Sequence, residues 1–160
     1  MPAVAKRQSN QSLFRDFVDY GLNHATPDAV ERLVAPDYRD HSLYYPMPAN
    51  RALRTPNRGD LLAFVNYLAG PDVHLQFTLE DVLGEGDKVA YRLLAEGTIE
   101  LRSGQPASSE SVPRPTYLGK SSDETSNVSL TYAGAGMASF SDGLLIENWG
   151  INAVRRWKRT

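Results

Sequence analysis

Residues 73–101, VHLQFTLEDVLGEGDKVAYRLLAEGTIEL, contain two stretches rich in β-forming residues on either side of a turn. The stretches Val73 to Leu83 and Lys88 to Leu101 are the strand candidates. Between them, Gly84-Glu85-Gly86-Asp87 has the composition of a hairpin turn. The second half of the chain is therefore predicted to begin with an antiparallel pair of strands.

Two further strand candidates follow this pair. Asn127 to Phe140 is strand-like, and its small residues Gly134-Ala135-Gly136 suggest a bulge or a sharp bend. Ser141-Asp142-Gly143 is a turn before the last strand candidate, Leu144 to Asn152. Residues 102–126 are rich in Ser, Pro and Gly and are predicted to form a loop insertion, because too little chain follows for a second domain.

The first half of the chain has helical periodicity. From Ser12 onward, apolar residues recur at spacings typical of one helix face, namely Leu13, Phe14, Phe17, Val18 and Leu22. Thr26-Pro27-Asp28 supplies the start of a second helix, and Pro36 is expected to end it. A third helix is predicted after Asn57, and its apolar face consists of Leu61, Phe64, Val65 and Leu68.

These elements predict a single α+β domain over residues 1–160, with a tail at 1–11. Three N-terminal helices pack on one face of a strongly curved, four-stranded, mostly antiparallel sheet. Such a sheet with a helical cover encloses a cone-shaped cavity, so the expected fold is a cone-shaped α+β barrel.

Composition limits the classes of function. The chain has 160 residues, of which 41% are hydrophobic and 22% charged, as in soluble globular proteins. It has no cysteine, and His24, His41 and His74 lack metal-ligand spacing, so we expect neither a thiol nucleophile nor a metal site. The balance of 17 basic against 19 acidic residues gives no reason to expect nucleic acid or a membrane as partner. The start of the chain lacks the pattern of a signal peptide, and we expect a cytoplasmic protein.

The stretch YRDHSLYYPMP, residues 38–48, carries the first candidate site residues. A carboxylate in an apolar pocket or an imidazole can exchange protons near neutral pH, which makes Asp40 and His41 candidates for proton transfer. As neighbours on a strand they would point to opposite faces unless the chain bends. Tyr44 and Tyr45 form either an apolar rim or an exposed loop or dimer contact. The alternative is that Asp40 caps a turn and His41 anchors its backbone.

Two charged residues lie within the strand candidates. Arg92 interrupts an apolar strand, and a buried guanidinium needs an acidic partner, for which Glu147 on the last strand is the natural choice. Arg92 would then polarise a substrate carbonyl or belong to a structural ion pair. Trp149 could stack on a planar substrate or be part of the core.

Three segments resemble SnoaL-like polyketide cyclases, namely AVERLVAPDYRDHS, LEDVLGEGDKVAYRLLAEGT and FSDGLLIENWGINAV. These cyclases belong to the superfamily of nuclear transport factor 2, ketosteroid isomerase and limonene epoxide hydrolase. The resemblance covers residues 12–100 and 127–154. It implies a small α+β cone, commonly a homodimer, which binds a hydrophobic substrate in the cone and needs no cofactor.

The resemblance also implies roles for individual residues. The family's Y-x-D/N-H element falls on Tyr38, Asp40 and His41 at the cavity wall, where ketosteroid isomerases carry their proton-shuttling acid. The elements D-x-V-x-x-R and D-G-x-I-x-E-x-W fall on Asp87, Val89 and Arg92, and on Asp142, Gly143, Ile146, Glu147 and Trp149, with Leu145 as an extra residue.

One departure from the family pattern changes the expected chemistry. Cyclases that close rings by aldol condensation carry a catalytic Asp shortly after that tryptophan, whereas this chain continues Gly150, Ile151, Asn152 and Ala153. The missing acid argues against an aldol mechanism. The Asp/Arg/Asp set of catalytic residues in the epoxide hydrolases is also incomplete here, which argues against epoxide hydrolysis.

We therefore predict a cofactor-free cyclase or isomerase that acts on a small hydrophobic, polyketide-like intermediate of secondary metabolism. The cavity would preorganise the substrate for ring closure, with cycloaddition as one possible form. The candidate catalytic residues are Asp40, His41 and Arg92. The candidate substrate-binding residues are Tyr38, Tyr44, Tyr45, Phe64, Glu147, Trp149 and Asn152. The alternative function is a non-catalytic ligand-binding or dimerisation module.

Overall fold

Three helical segments precede most of the sheet. The structure is a computed structural model that describes residues 8–42, 55–101 and 126–159, of which 101, 126 and 152–159 are described by their backbone alone. The helices are α1 (Asn10–Asp16, continued by a π-helix at Phe17–Asn23), α2 (Pro27–Leu33) and α3 (Arg58–Leu68). The predicted apolar stripe of the first helix is confirmed, since Phe14, Phe17, Val18 and Leu22 are all buried in the core.

The sheet has five strands, in the order β1-β5-β4-β3-β2. The strands are β1 (Val34–Asp40), β2 (Val73–Glu85), β3 (Lys88–Leu101), β4 (Ser126–Ser141) and β5 (Leu144–Arg159). β1 pairs with β5 in parallel, and the other neighbours are antiparallel. The sheet is not closed, because β1 and β2 are its edges in the described part of the chain.

β1 is the strand that the sequence pattern did not predict, so the expected count of four strands is wrong. Val34 comes directly after Leu33 and fits the apolar pattern of the second helix. The helix nevertheless ends at Leu33, and Val34 is the buried first residue of β1. Pro36 lies within the strand and does not end the helix. A proline is tolerated there because β1 is an edge strand.

The hairpin turns are confirmed, and the predicted bulge is not. Gly86 has a φ of 57°, and Asp142 and Gly143 have φ of 51° and 81°, as tight turns between antiparallel strands require. Gly134-Ala135-Gly136 pairs without interruption with both neighbouring strands. The irregularities of β4 lie between Thr131 and Tyr132 and between Ser139 and Phe140, in its pairing with β5.

The helices cover one face of the sheet, which we call the inner face, and we call the opposite face the outer face. On β2, Val73 and Phe77 are buried on the inner face, while His74, Gln76 and Thr78 are exposed. The outer face also carries large exposed apolar side chains, with exposed fractions of 45% for Met137, 52% for Trp149, 68% for Ile151 and 72% for Leu83. Of the predicted loop at 102–126, Ser126 is the first residue of β4, and residues 102–125 lie outside the described part of the chain.

Candidate functional site

β1 turns the adjacent residues Asp40 and His41 to different sides. Within the strand, Tyr38 and Asp40 are buried, with exposed fractions of 2% and 6%, and Arg39 between them is exposed. The parallel register places Asp40 opposite Asn148 on β5. This strand therefore carries a tyrosine and an aspartate to the inner face.

Asp40 is the centre of a group of hydrogen bonds on the inner face. Its Oδ2 accepts from the Tyr38 hydroxyl at 3.1 Å. Its Oδ1 accepts from the backbone N–H of Ser42 at 2.9 Å, and the side-chain nitrogen of Asn148 lies 3.4 Å from the same oxygen. Removing a carboxylate from water costs several kcal/mol, and a hydrogen bond to a charged group contributes about 1.5–3 kcal/mol. These donors therefore offset the burial of Asp40.

Asn148 connects Asp40 with Tyr91 on β3. The side-chain nitrogen of Asn148 donates to Ser42 Oγ at 2.7 Å, and its Oδ1 accepts from the Tyr91 hydroxyl at 2.8 Å. The chain of contacts Tyr91–Asn148–Asp40–Tyr38 crosses from β3 to β1 over the inner face.

The side chain of Tyr91 reaches β5 because two glycines leave room for it. Tyr91 pairs with Gly136 on β4, which pairs with Gly150 on β5. A Cβ on Gly136 would lie 2.5 Å from the Tyr91 hydroxyl oxygen, and a Cβ on Gly150 would lie 3.1 Å from it. Phe14 packs against the ring at a centroid distance of 4.6 Å. Burial raises the pKa of Tyr91 to about 12, so its hydroxyl is a donor at neutral pH.

His41 belongs to a second group, with Trp149 and Glu147. Its ring stacks on Trp149 with a centroid distance of 3.9 Å and an angle of 12° between the planes. Its buried Nε2 lies 3.6 Å from Glu147 Oε1 and makes no hydrogen bond with the described residues. Since Trp149 is exposed on the outer face, the structure places these three residues away from Asp40. Asp40 and His41 thus point to opposite faces, as expected of neighbours on a strand, and of the two only Asp40 lies on the inner face.

Arg92 also lies on the outer face, and its predicted ion pair with Glu147 is wrong. Its Nε is 2.9 Å from Asp81 Oδ2 and 3.5 Å from Glu80 Oε2. The register explains the error, because Glu147 is aligned through Ser139 with Lys88, four residues away from Arg92 on β3. Four residues of strand separate the two positions by about 13 Å. The guanidinium is exposed, so its ion pairs are solvent-exposed surface ion pairs.

The remaining predicted site residues are distributed as follows. Phe64 on α3 is half-buried and packs against the core, together with the similarly half-buried Leu93 and Tyr132. Tyr44 and Tyr45 lie outside the described residues. The backbone of Asn152 pairs with Gly134, but its side chain lies outside the described part of the structure.

Sequence reasoning missed Tyr91, Asn148 and Ser42. Tyr91 could have been found, because Val89 and Leu93 flank it at the two-residue spacing of one strand face. Nothing local distinguishes Asn148, since its role depends on the pairing of β5 with β1. Among residues 8–42, 55–101 and 126–159, no three His, Asp or Glu side chains form a group that could hold a metal ion. No described helix is long and apolar enough to span a membrane.

Comparisons with known proteins agree with this architecture. A family model of the SnoaL-like domain matches residues 14–148. Curated proteins gave no match. IdmH from Streptomyces antibioticus, a candidate polyketide cyclase, is 22% identical, with a TM-score of 0.61 over 90% of this chain and 92% of that chain. TsrD from Streptomyces laurentii is 21% identical, with a TM-score of 0.56 over 94% and 91%. A candidate polyketide cyclase from Bacillus cereus is 16% identical, with a TM-score of 0.58 over 95% and 80%.

At these identities the solved structures show the fold, which is the SnoaL-like cone. The family match runs from within α1 to the start of β5, and it includes Asp40, Tyr91 and Asn148. The chain belongs to the SnoaL-like domain family.

Proposed function

We propose that the protein is a cyclase or isomerase that acts on a hydrophobic, polyketide-like ketone, with Asp40 as the proton-transfer group. The observation that carries the proposal is the carboxylate of Asp40, buried on the inner face and bound by Tyr38, Ser42 and Asn148. The bond from the Ser42 N–H is the turn cap of the structural alternative, and the His41 backbone is anchored on Asn148, but the contacts with Tyr38 and Asn148 go beyond what a cap requires. The polyketide class is taken from the names of the structural neighbours.

The inner face of the sheet supports a hydrophobic substrate. Apolar side chains of α3 and of the inner sheet face keep part of their surface accessible, among them Phe64, Leu75, Leu79, Leu93 and Tyr132. They would hold an apolar ring system close to the sheet and fold it toward its reactive conformation. His41 and Arg92 are not included in this proposal, because they lie on the outer face.

The chemistry begins with one proton transfer to Asp40. The carboxylate takes a proton from the carbon next to a substrate carbonyl, and the electrons of the C–H bond move into the enolate. Return of the proton to another carbon gives an isomer. Protonation of the enolate oxygen of a conjugated ketone gives a dienol, and cycloaddition of this diene to a C=C bond of the same substrate closes a ring, with the π electrons forming two new C–C bonds and no atom lost. General base catalysis of this kind contributes about 10²–10⁴-fold to the rate.

The test uses 2-tetralone, a bicyclic aromatic ketone, as the probe. Exchange of its α-protons in D₂O is followed by NMR with the wild-type protein and with Asp40→Asn, and binding of the probe is measured separately. We expect the protein to accelerate exchange, and Asp40→Asn to bind the probe but lose at least about 10²-fold of that acceleration. Binding without any exchange by the wild-type protein would contradict the proposal.

A second candidate function is a non-catalytic ligand-binding module. The placement of His41 and Arg92 favours it, because only one of the three candidate catalytic residues, Asp40, lies on the inner face. Binding of the ketone with the exchange rate of the buffer is the result that identifies this function.

A further inference from the structure

The orientation of the Asn148 amide determines whether Asp40 faces a donor or an acceptor. The amide has one oxygen, which only accepts, and one NH₂ group, which only donates. In the structure the oxygen faces the Tyr91 hydroxyl at 2.8 Å, and the NH₂ group faces Ser42 Oγ at 2.7 Å and Asp40 Oδ1 at 3.4 Å. A half-turn of the amide would bring its oxygen against the carboxylate of Asp40.

Tyr91 is the residue that opposes this half-turn. Its hydroxyl carries the proton at neutral pH and donates to the amide oxygen. A flipped amide would donate to the phenol oxygen instead, and the buried O–H group of Tyr91 would lose the acceptor that the described residues give it. Gly136 and Gly150 leave room for the hydroxyl at this place, since a Cβ on either residue would lie 3.1 Å or less from the hydroxyl oxygen.

We propose that Tyr91 is a positioning residue for Asp40, which acts through Asn148 by fixing the orientation of its amide. The catalytic consequence rests on the proposed function, because it assumes that Asp40 transfers a proton. The structural part is independent of any substrate. It states that Tyr91 and Asp40, which share no hydrogen bond in the described structure, are energetically coupled by way of Asn148.

A double-mutant cycle on the equilibrium constant of unfolding tests the structural part. The variants are Tyr91→Phe, Asp40→Asn and their combination, measured by urea denaturation. Residues that share one hydrogen-bond network are coupled by about 2- to 150-fold, whereas independent sites are additive within about 2-fold. We expect a coupling of at least about 5-fold within this range.

The same cycle in an Asn148→Ala background identifies the route of the coupling. At pH 7, where Tyr91 is neutral and the charge of Asp40 acts only on the dipole of its hydroxyl, we expect additivity within about 2-fold there, because the amide that connects the two residues is absent. Asn148→Ser serves as the background if the alanine variant does not fold. The control pairs Tyr132→Phe with Asp40→Asn, since Tyr132 lies on the same face against Phe77, away from Tyr91 and Asn148, and should be additive.

Two results would overturn the proposal. The first is additivity of Tyr91→Phe and Asp40→Asn in the natural chain. The second is a coupling that persists without the Asn148 amide, which would show a direct electrostatic effect of the two groups on each other.

A kinetic measurement then separates positioning from binding. If the natural chain accelerates the exchange of 2-tetralone, Tyr91→Phe should lower kcat by roughly 10-fold, which corresponds to one lost positioning hydrogen bond, and leave KM within about 2-fold. An increase in KM at unchanged kcat would contradict the positioning role. An absence of exchange by the natural chain refutes the proposed function and leaves the result of the unfolding cycle valid.

Discussion

Tyr91 is the residue whose ionisation the fold changes most clearly. Burial between Phe14 and the glycines of β4 and β5 raises its pKa, the nearby Asp40 carboxylate adds to the shift, and the hydrogen bond with Asn148 opposes it. The phenol is therefore neutral in the folded state at pH values where a tyrosine in water has begun to lose its proton.

This shift predicts how stability depends on alkaline pH. The folded-state pKa of Tyr91 is about 12, above the ordinary tyrosine value of 10.0, so the unfolded chain loses this proton first. The contribution is fully present below pH 10 and is lost as the pH rises toward 12, by about 2–3 kcal/mol. We expect the free energy of unfolding to fall more steeply between pH 9.5 and 11.5 for the wild-type protein than for Tyr91→Phe. Equal slopes of the free energy of unfolding against pH in the two proteins would contradict the raised pKa of Tyr91.

We expect Gly150 not to tolerate a side chain, because two other side chains lie close to the place where its Cβ would be. A Cβ there would be 3.0 Å from Ser42 Oγ and 3.1 Å from the Tyr91 hydroxyl oxygen. We expect Gly150→Ala to lower the free energy of unfolding by about 1–3 kcal/mol, the usual cost of overpacking. The matched control is Ala135→Val on the exposed outer face of β4, which should have little effect. An alanine variant as stable as the natural chain would show that Tyr91 and Ser42 are free to move.

At the scale of elements, the segment from β1 to α3 determines the position of Asp40. β1 is held on one side by its parallel pairing with β5, and its Arg39 forms a bridge with Asn57, the N-cap of α3. The side chain of Asn57 accepts from the backbone of Gly59 and Asp60, and Asp60 accepts in return from the backbone of Asn57. This capping box fixes where α3 begins.

The capping box gives a prediction about stability. Asn57→Ala removes the side-chain acceptor of the first turn and should lower the free energy of unfolding by about 1 kcal/mol, within a usual range of about 0.5–2 kcal/mol. Asn66→Ala, an exposed substitution within α3, is the matched control and should be neutral or slightly stabilising because alanine favours helix. Chemical denaturation measures both. Equal effects of the two substitutions would contradict the capping role.

Elements with a local signal could be predicted from the sequence, and those fixed by distant pairing could not. The helix stripe around Phe14 and the turn at Asp142-Gly143 follow from spacing and turn chemistry, and both are confirmed. β1 lacks such a signal, since Val34 continues a helical spacing and Pro36 is unusual in a strand. Its existence depends on pairing with β5, more than a hundred residues away.

The same reasoning explains the errors at the candidate site. Alternation along β3 places Tyr91 and not Arg92 on the inner face, and this could have been derived from Val89 and Leu93. The separation of Arg92 from Glu147 depends on the register of three strands. Asn148 becomes a candidate only when β1 places Asp40 beside it.

At the scale of the whole molecule, the homodimer implied by the family resemblance stays a prediction. A cross-strand row on the outer face, Leu83, Ala90, Met137 and Trp149, is exposed, and a second copy packed by two-fold symmetry would cover it. We expect light scattering after size exclusion to give twice the mass of one chain, and Met137→Lys with Trp149→Glu to give a single chain. Even a weak dimer would form at a protein concentration of about 100 μM. A wild-type protein that is monomeric at this concentration would contradict the prediction.

The division of the molecule into an inner face with Asp40 and an outer face with His41 is the basis of the proposed function. The measurement that tests it most directly compares α-proton exchange of 2-tetralone in D₂O for Asp40→Asn and His41→Gln. We predict a loss of at least about 10²-fold for Asp40→Asn, and a rate within about 2-fold of the natural chain for His41→Gln. A comparable loss in both variants, or an unchanged rate in Asp40→Asn, would contradict it.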